Sequence, residues 1–254
     1  MIDTHAHIHD AQYDADRGEV VARALEAGVR HIVTVGCDLA DSMRALEVAR
    51  EYRTYASVGI HPHEAKDAPV DLMPLFETFL MDNRIVAIGE TGLDYYYDHS
   101  PRDVQQRVLR EQIAIAREAG FPVIFHQRDA YDDFVAILAE EWQSGMRGVV
   151  HCFSGDATQA LRLTHDFGLF LGIGGVLTFK NAEPIREAVR TAGLSWLVLE
   201  TDCPYLAPMP HRGQRNEPSF ISLTAQKLAE VLETTVDEIV HETDANARAV
   251  FDIL

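Results

Sequence analysis

The chain has 254 residues, 47% of them hydrophobic, which suits one large domain or two small ones. Its formal net charge of −18 makes the surface as a whole repel nucleic acid and anionic membranes, so a polyanionic substrate must be attracted locally. Three cysteines, Cys37, Cys152 and Cys203, are too few and odd in number for a disulfide framework, and no apolar run has the length of a membrane helix.

The first residues lack the basic-then-apolar layout of a signal peptide, so a reducing, cytoplasmic setting is expected. Strand-like runs then alternate with amphipathic segments eight times: Ile2–His7, His31–Cys37, Tyr55–His61, Ile85–Glu90, Pro122–His126, Gly148–Cys152, Leu169–Gly174 and Leu197–Asp202. The runs are short and rich in Val, Ile, Leu and Gly rather than alternating, as strands buried on both faces are.

The segments between them carry helix punctuation. Asp16 with Glu19 reads as a cap and acidic first turn, and Gly28 as the stop. Ser100-Pro101 reads as a cap and N1 proline for a helix ended by Gly120 and Pro122. Phe134, Ile137, Leu138 and Trp142 share a helical face. Asp156 caps a helix ending at Gly168, and Asn181 opens one that ends at Gly193, with Ile185, Ala188 and Val189 inward. Two more helices follow, near Ser219–Leu232 and Val236–Phe251, the last opened by a Thr235/Glu238 capping box. Eight βα units without a composition break predict a single-domain TIM (β/α)8 barrel over residues 1–254, slightly distorted and finished by C-terminal helices. A doubly wound open sheet is the alternative, but no glycine-rich phosphate loop follows the first strand.

On this barrel the unusual polar residues fall together. His5 and His7 end strand 1 and, two apart, point to one face. Glu90 ends strand 4, His126 strand 5, His151 strand 6 and Asp202 strand 8, while His61 and His63 follow strand 3. Active sites of these barrels sit at the C-terminal ends of the strands. Taken singly, His126 or His151 reads as a core histidine, Glu90 as an arginine partner and Asp202 as a turn residue. Together, six such groups at one mouth are hard to satisfy without a cation. Six ligands exceed one tetrahedral zinc and suit two divalent ions with a bridging carboxylate, for which Glu90 is a reasonable choice. The imidazoles favour zinc, manganese, cobalt or nickel over magnesium.

These residues stand in motifs that resemble the TatD-type metal-dependent deoxyribonucleases: Asp3-Thr4-His5-Ala6-His7, Gly59-Ile60-His61-Pro62-His63, Gly89-Glu90-Thr91-Gly92-Leu93-Asp94-Tyr95, His126-Gln127-Arg128-Asp129-Ala130, His151-Cys152-Phe153-Ser154-Gly155, Glu200-Thr201-Asp202-Cys203-Pro204-Tyr205-Leu206 and Arg212-Gly213-Gln214-Arg215-Asn216-Glu217-Pro218. The resemblance runs from residue 1 to the last helix. It implies one metal on His5, His7, Glu90 and Asp202 and a second on Glu90, His126 and His151. His211 departs from the pattern, where an aromatic is expected.

The expected chemistry is hydrolysis of a phosphodiester, probed most simply on DNA, by a water activated between two dications, with Asp202 taking its proton. Action is expected from the 3′ end of single strands, with abasic-site or RNA cleavage as variants. His61 or His63 would contact a phosphate or assist the leaving group, and the sequence leaves room for a third, weaker ion beside them. Asp94, Arg128, Lys180, Arg212 and Arg215 are further candidates for substrate or phosphate contact, the guanidinium forks being suited to phosphate oxygens. His9, His31, His165 and His241 read as surface or structural.

Two other readings compete. An amidohydrolase cleaving a cyclic amide or ester on the same barrel often bridges its metals with a modified lysine on strand 4. Glu90 stands there here, which favours the nuclease and leaves open other esters, including an aminoacyl ester of transfer RNA, since relatives with that activity resemble this chain too. A non-catalytic metal scaffold is argued against by a ligand set with no evident closed shell. DNA or another nucleic acid is the expected partner, with no membrane, and a monomer is expected.

Overall fold

In the computed structural model, which describes residues 1–253, the apolar runs become eight parallel strands in the order β1 to β8. They are Ile2–Ala6, His31–Val35, Tyr55–Val58, Ile85–Asp94, Val123–Arg128, Gly148–Val150, Phe170–Ile173 and Leu197–Leu199. Parallel neighbours need crossovers. These are supplied by α1 (Arg17–Glu26), α2 (Leu39–Tyr52), α3 (Met73–Leu80), α4 (Arg102–Ala119), α5 (Tyr131–Glu141), α6 (Ala157–Leu161) and α7 (Glu183–Ala192), with α8 (Ile221–Leu232) and α9 (Val236–Phe251) after the last strand. This is the TIM barrel with C-terminal helices that the alternation predicts.

Two cores hold it. The larger lies between strands and helices and includes Leu46, Phe76, Leu109, Ile113, Phe125 and Phe134. The smaller fills the barrel: Ile2, Val33, Ala87, Ile124, Val149 and Val198 pack against Val250, Phe251 and Ile253. The end of α9 therefore plugs the N-terminal end of the strands, and the C-terminal end stays open. Asp244 of α9 fastens the plug by accepting from the backbone N–H of Ile2 at 2.7 Å.

Closure is where the barrel is irregular. Among the described residues β8 and β1 share no regular ladder. They are joined past the end of β8 instead. Asp202 N donates to His5 O (2.9 Å) and His7 N to Cys203 O (2.7 Å). The Thr4 hydroxyl donates to Leu199 O, and the Asp3 carboxyl binds both the N–H and the hydroxyl of Thr201. Asn216 braces the loop through Thr201 O and Tyr205 O. The seam thus fixes the first and last candidate ligands against each other.

Some local expectations change. β4 does not end at Glu90 but runs on to Asp94, with a register shift against β5 between Ile88 and Thr91. Gly89 (φ +143°) and Gly92 (φ +151°) make this irregularity, because an L side chain rarely adopts such φ values. Crowding adds to it: a Cβ on Gly59 would stand 2.4 Å from the Gly89 carbonyl carbon. Ser100 does not cap α4; Pro101 holds that position, and the Ser100 hydroxyl ties His63 O to Lys66 N. Asp16 stands at the N-cap of α1 but gives its carboxylate to Arg215. The seventh helix opens at Ala182 and Glu183 rather than Asn181. Asp156 and Thr235 cap as expected, by accepting from Gln159 N and Glu238 N. The Glu238 carboxylate, however, takes the Thr234 hydroxyl rather than completing the box.

Candidate metal centre

Five strands deliver six side chains to the open mouth. His5 lies on β1 and His7 just past it, Glu90 on the β4 irregularity, His126 on β5, His151 one residue past β6 and Asp202 three past β8. All but His126 and Asp202 are buried, and those two are half-buried.

Their polar atoms converge in two sets about Glu90, and His151 lies within reach of both, grouping also with His5 and Asp202. On one side His5 Nε2 lies 3.3 Å from His7 Nε2, 3.4 Å from Glu90 Oε2 and 3.8 Å from Asp202 Oδ1, and His7 Nε2 is 3.5 Å from Asp202 Oδ1. On the other side Glu90 Oε1 faces His126 Nδ1 at 3.0 Å, His151 Nε2 at 3.5 Å and His61 Nε2 at 3.5 Å. Ligands about 2.0–2.1 Å from a tetrahedral ion stand roughly 3.3 Å apart. The spacings have that scale.

The outer nitrogens of these rings indicate which inner ones carry lone pairs. His7 Nδ1 is 2.8 Å from Val35 O, His126 Nε2 3.1 Å from Asp94 Oδ2 and His151 Nδ1 3.2 Å from Glu200 Oε1. With protons on those outer nitrogens, the inner ones are acceptors facing carboxylate oxygens, an arrangement only a cation or additional protons can satisfy. The donor set therefore fits divalent ions, and the His, Asp and Glu clusters mark this mouth as metal-binding.

Without a cation the cluster balances itself with protons. Burial raises the pKa of Glu90, but the imidazoles of His151, His61, His5 and His126 outweigh it and hold Glu90 well below the ordinary range. Asp202 is likewise lowered, its burial overcome by His7, His151 and His5. Burial lowers His151, yet Glu200 and Glu90 push it up to about 9. His7 also rises, against burial, through Asp202 and Cys37. His61 is pushed down to about 4, first by burial and then by its cationic neighbours, with Glu90 opposing.

Not every expected contact residue arrives here. His61 comes closer than expected, inside the second set. His63 stands behind it, its Nε2 2.9 Å from Asp94 Oδ2. Asp94 is not open to a substrate: its side chain is fully buried, Oδ2 takes His63 and His126, and Oδ1 accepts from Tyr96 N and Tyr97 N. Arg128 is exposed at the mouth, its guanidinium 4.2 Å over the Tyr96 ring, and among the described residues it forms no ion pair. Arg215 is spent on Asp16 and Gln12 O and does not reach the cluster. Arg212 covers Phe179 at the outer edge, and Lys180 is exposed outside both cavities of the mouth. His211 stacks flat on Phe220 at 4.2 Å. His9 proves buried and structural, held by Thr34 and Asp41.

Two cavities, of about 670 and 1060 Å³, open on either side of the cluster and share His126, Arg128, His151, Asp202 and Leu206. Glu200 is the residue that sequence reasoning missed. The run Leu197–Asp202 puts Glu200 in a buried strand but names no partner for its carboxylate. The signal for its burial is the pair Gly172 and Gly174 on the neighbouring strand and loop, which leave room for its side chain.

The sequence pattern described as "TatD related DNase" matches residues 2–252. The chain belongs to the TatD family. A relative in Bacillus subtilis named as the metal-dependent hydrolase YabD is 43% identical over all of this chain and 99% of its own. The 3′-5′ ssDNA/RNA exonuclease TatD of Erwinia amylovora is 34% identical over the full length of both chains. Among solved structures, the TatD homolog YjjV of Escherichia coli superposes with a TM-score of 0.93 at 30% identity, covering 100% of this chain and 98% of that one. This TatD-family chain is accordingly a metal-dependent hydrolase acting on ester bonds.

Proposed function

We propose that this protein removes nucleotides from the 3′ end of single-stranded DNA or RNA by phosphodiester hydrolysis, with two divalent ions at the mouth. The observation that carries this reading is Glu90, whose Oε2 faces His5 and whose Oε1 faces His126, with His151 between them. His5, His7, Glu90 and Asp202 would hold one ion, and Glu90, His126 and His151 the other, with His61 at its edge. The imidazole content favours zinc, manganese, cobalt or nickel ahead of magnesium. When bound, such ions lower the pKa of water and neutralise charge on a phosphoryl group.

The chain's own groups supply the rest. Asp202 is the proton acceptor. Its side chain keeps 13% of its surface open against 4% for Glu90, and both cavities reach it. Arg128, without a carboxylate partner among the described residues and held over the Tyr96 ring, is placed to bind a non-bridging phosphate oxygen. His63, with a quarter of its side chain exposed and Nε2 taken by Asp94, would donate toward the leaving oxygen only when protonated on both ring nitrogens.

The acidic surface supports action on strand ends. Long duplex binding relies on rows of cationic contacts and counterion release, and a chain of net charge −18 lacks the charge for it. Among the described residues no helix is long and apolar enough to cross a membrane. Three free thiols suit a reducing cytoplasm.

The test is a digest of 5′-labelled single-stranded, duplex and abasic DNA, and of RNA, with Mn²⁺, Zn²⁺, Co²⁺, Ni²⁺ or Mg²⁺ added to metal-stripped protein. The reading expects a metal-dependent ladder shortening from the 3′ end, fastest on single strands. Metal-dependent release of an amino acid from aminoacyl-tRNA, with no nucleotide release, would replace it with the esterase reading.

A further inference from the structure

His126 and His151 share a feature that His5 and His7 lack. Each is backed by a buried carboxylate outside the ligand set. His126 turns Nδ1 to Glu90 Oε1 (3.0 Å) and Nε2 to Asp94 Oδ2 (3.1 Å). His151 turns Nε2 to Glu90 Oε1 (3.5 Å), and its Nδ1 lies 3.2 Å from Glu200 Oε1, an ion-pair contact without the angles of a hydrogen bond. Behind His7 stands the neutral carbonyl of Val35, and His5 Nδ1, which like His151 Nδ1 makes no hydrogen bond among the described residues, has no carboxylate within ion-pair distance.

Both outer carboxylates are fully buried, and their ion pairs are with imidazoles alone, with no Arg or Lys. Both are also rigidly held. Asp94 Oδ1 accepts from Tyr96 N and Tyr97 N at 3.0 and 2.9 Å. Glu200 Oε1 accepts from Cys152 N at 2.6 Å. The notch that holds Glu200 exists because residue 172 is glycine: a Cβ there would stand 2.2 Å from Glu200 Oε2. A carboxylate so placed fixes the ring plane and keeps the proton on the outer nitrogen. The inner lone pair is then aimed at the cation, and the imidazole becomes a stronger donor.

From this we infer that Asp94 and Glu200 are positioning residues for one of the two ions and not for the other. They strengthen the half-site of His126 and His151 and leave the half-site of His5, His7 and Asp202 to its directly bound carboxylate. The two equivalents of metal are therefore separable by mutation. The inference rests on the two-ion reading above.

Calorimetric titration of metal-stripped protein with Mn²⁺ alone, with retained ions counted by atomic emission after dialysis, tests it. Wild-type protein is expected to take two equivalents. Glu200→Gln and Asp94→Asn are each expected to weaken one equivalent by about 10- to 100-fold and leave the other within about 3-fold. Gly172→Ala, which displaces the Glu200 carboxylate without removing it, is expected to weaken the same equivalent, and it serves should Glu200→Gln fail to fold. Asp202→Asn is expected to weaken the opposite equivalent. Equal loss of both equivalents, or unchanged titrations in the Glu200, Asp94 and Gly172 variants, would overturn the assignment of these residues. A single equivalent in the wild-type protein would overturn the two-ion reading itself, and this inference with it.

Discussion

Asp202 donates its backbone N–H to the carbonyl of His5 across 2.9 Å, so the candidate base and a ligand from the opposite end of the chain are tied by main chain, not by side chain. Asp202→Asn keeps that bond and the shape of the side chain but removes a negative charge and the proton acceptor. The variant is expected to fold, to retain part of its metal and to lose phosphodiester cleavage by orders of magnitude. Near-normal hydrolysis by a metal-loaded Asp202→Asn protein would discard Asp202 as the base while leaving the metal site intact.

Gly59→Ala probes how tightly Glu90 is wedged. The new Cβ would meet Gly89 C at 2.4 Å and Glu90 N at 2.7 Å, both backbone atoms with no side chain able to give way. Overpacking of this kind costs about 1–3 kcal/mol, and here it also displaces Glu90. Urea unfolding is expected to show the loss of stability, and metal retention is expected to fall with it. A Gly59→Ala protein with unchanged midpoint and full metal content would show the contact to be soft.

Arg215→Ala separates a structural arginine from a substrate-binding one. The Arg215–Asp16 pair is about one-third exposed on each side chain, so solvent screens it and its loss changes stability little. Nuclease activity is expected to be unchanged, whereas Arg128→Ala is expected to raise KM for oligonucleotides. A matching KM rise in both variants would return Arg215 to the substrate path.

Protons and metal compete for the same nitrogens, which sets the sign of the pH response. His151 in the metal-free protein is raised from 6.5 to about 9, burial being overcome by Glu200 and Glu90. A raised folded-state pKa contributes stability that is fully present below pH 6.5 and lost as pH rises through about 9. His7 and His126, also raised, act in the same direction. Metal-free protein is therefore expected to melt lower at pH 9 than at pH 6.5. The loaded protein is expected to escape this loss and to release protons on loading. Thermal melts with and without chelator, at both pH values, check it. A flat metal-free profile would show that the imidazoles are neutral throughout.

The barrel was legible because apolar runs such as Ile32–Val35 and Val123–Phe125 recur with amphipathic helices between them, a pattern that needs no knowledge of distant contacts. The clustering of the six candidate side chains was legible for the same reason: each ends or follows such a run. What was not legible depended on partners far away in sequence. The apolar signal of β4 stops at Ile88, so its continuation to Asp94, which depends on two glycines accepting unusual φ values, was hidden. Asp16 resembled a helix cap and Arg215 a phosphate contact until the fold put them together across 199 positions. The role of Glu200 stayed hidden because the notch beside Gly172 that receives it belongs to another strand.

The closure between Asp3 and Thr201, 198 positions apart, also has a history in time. At about 5–20 residues per second of synthesis, β1 waits on the order of 10–40 s for its partner. Throughout that interval its outer edge is unpaired and open to other strands. In the finished barrel burial pushes Asp3 up to about 8, against the hydrogen bonds from Thr201. In the nascent chain, exposed to water, the same carboxyl keeps its ordinary acidity and is charged. The same side chain is thus charged on the growing edge and driven by burial toward its neutral form in the closed ring.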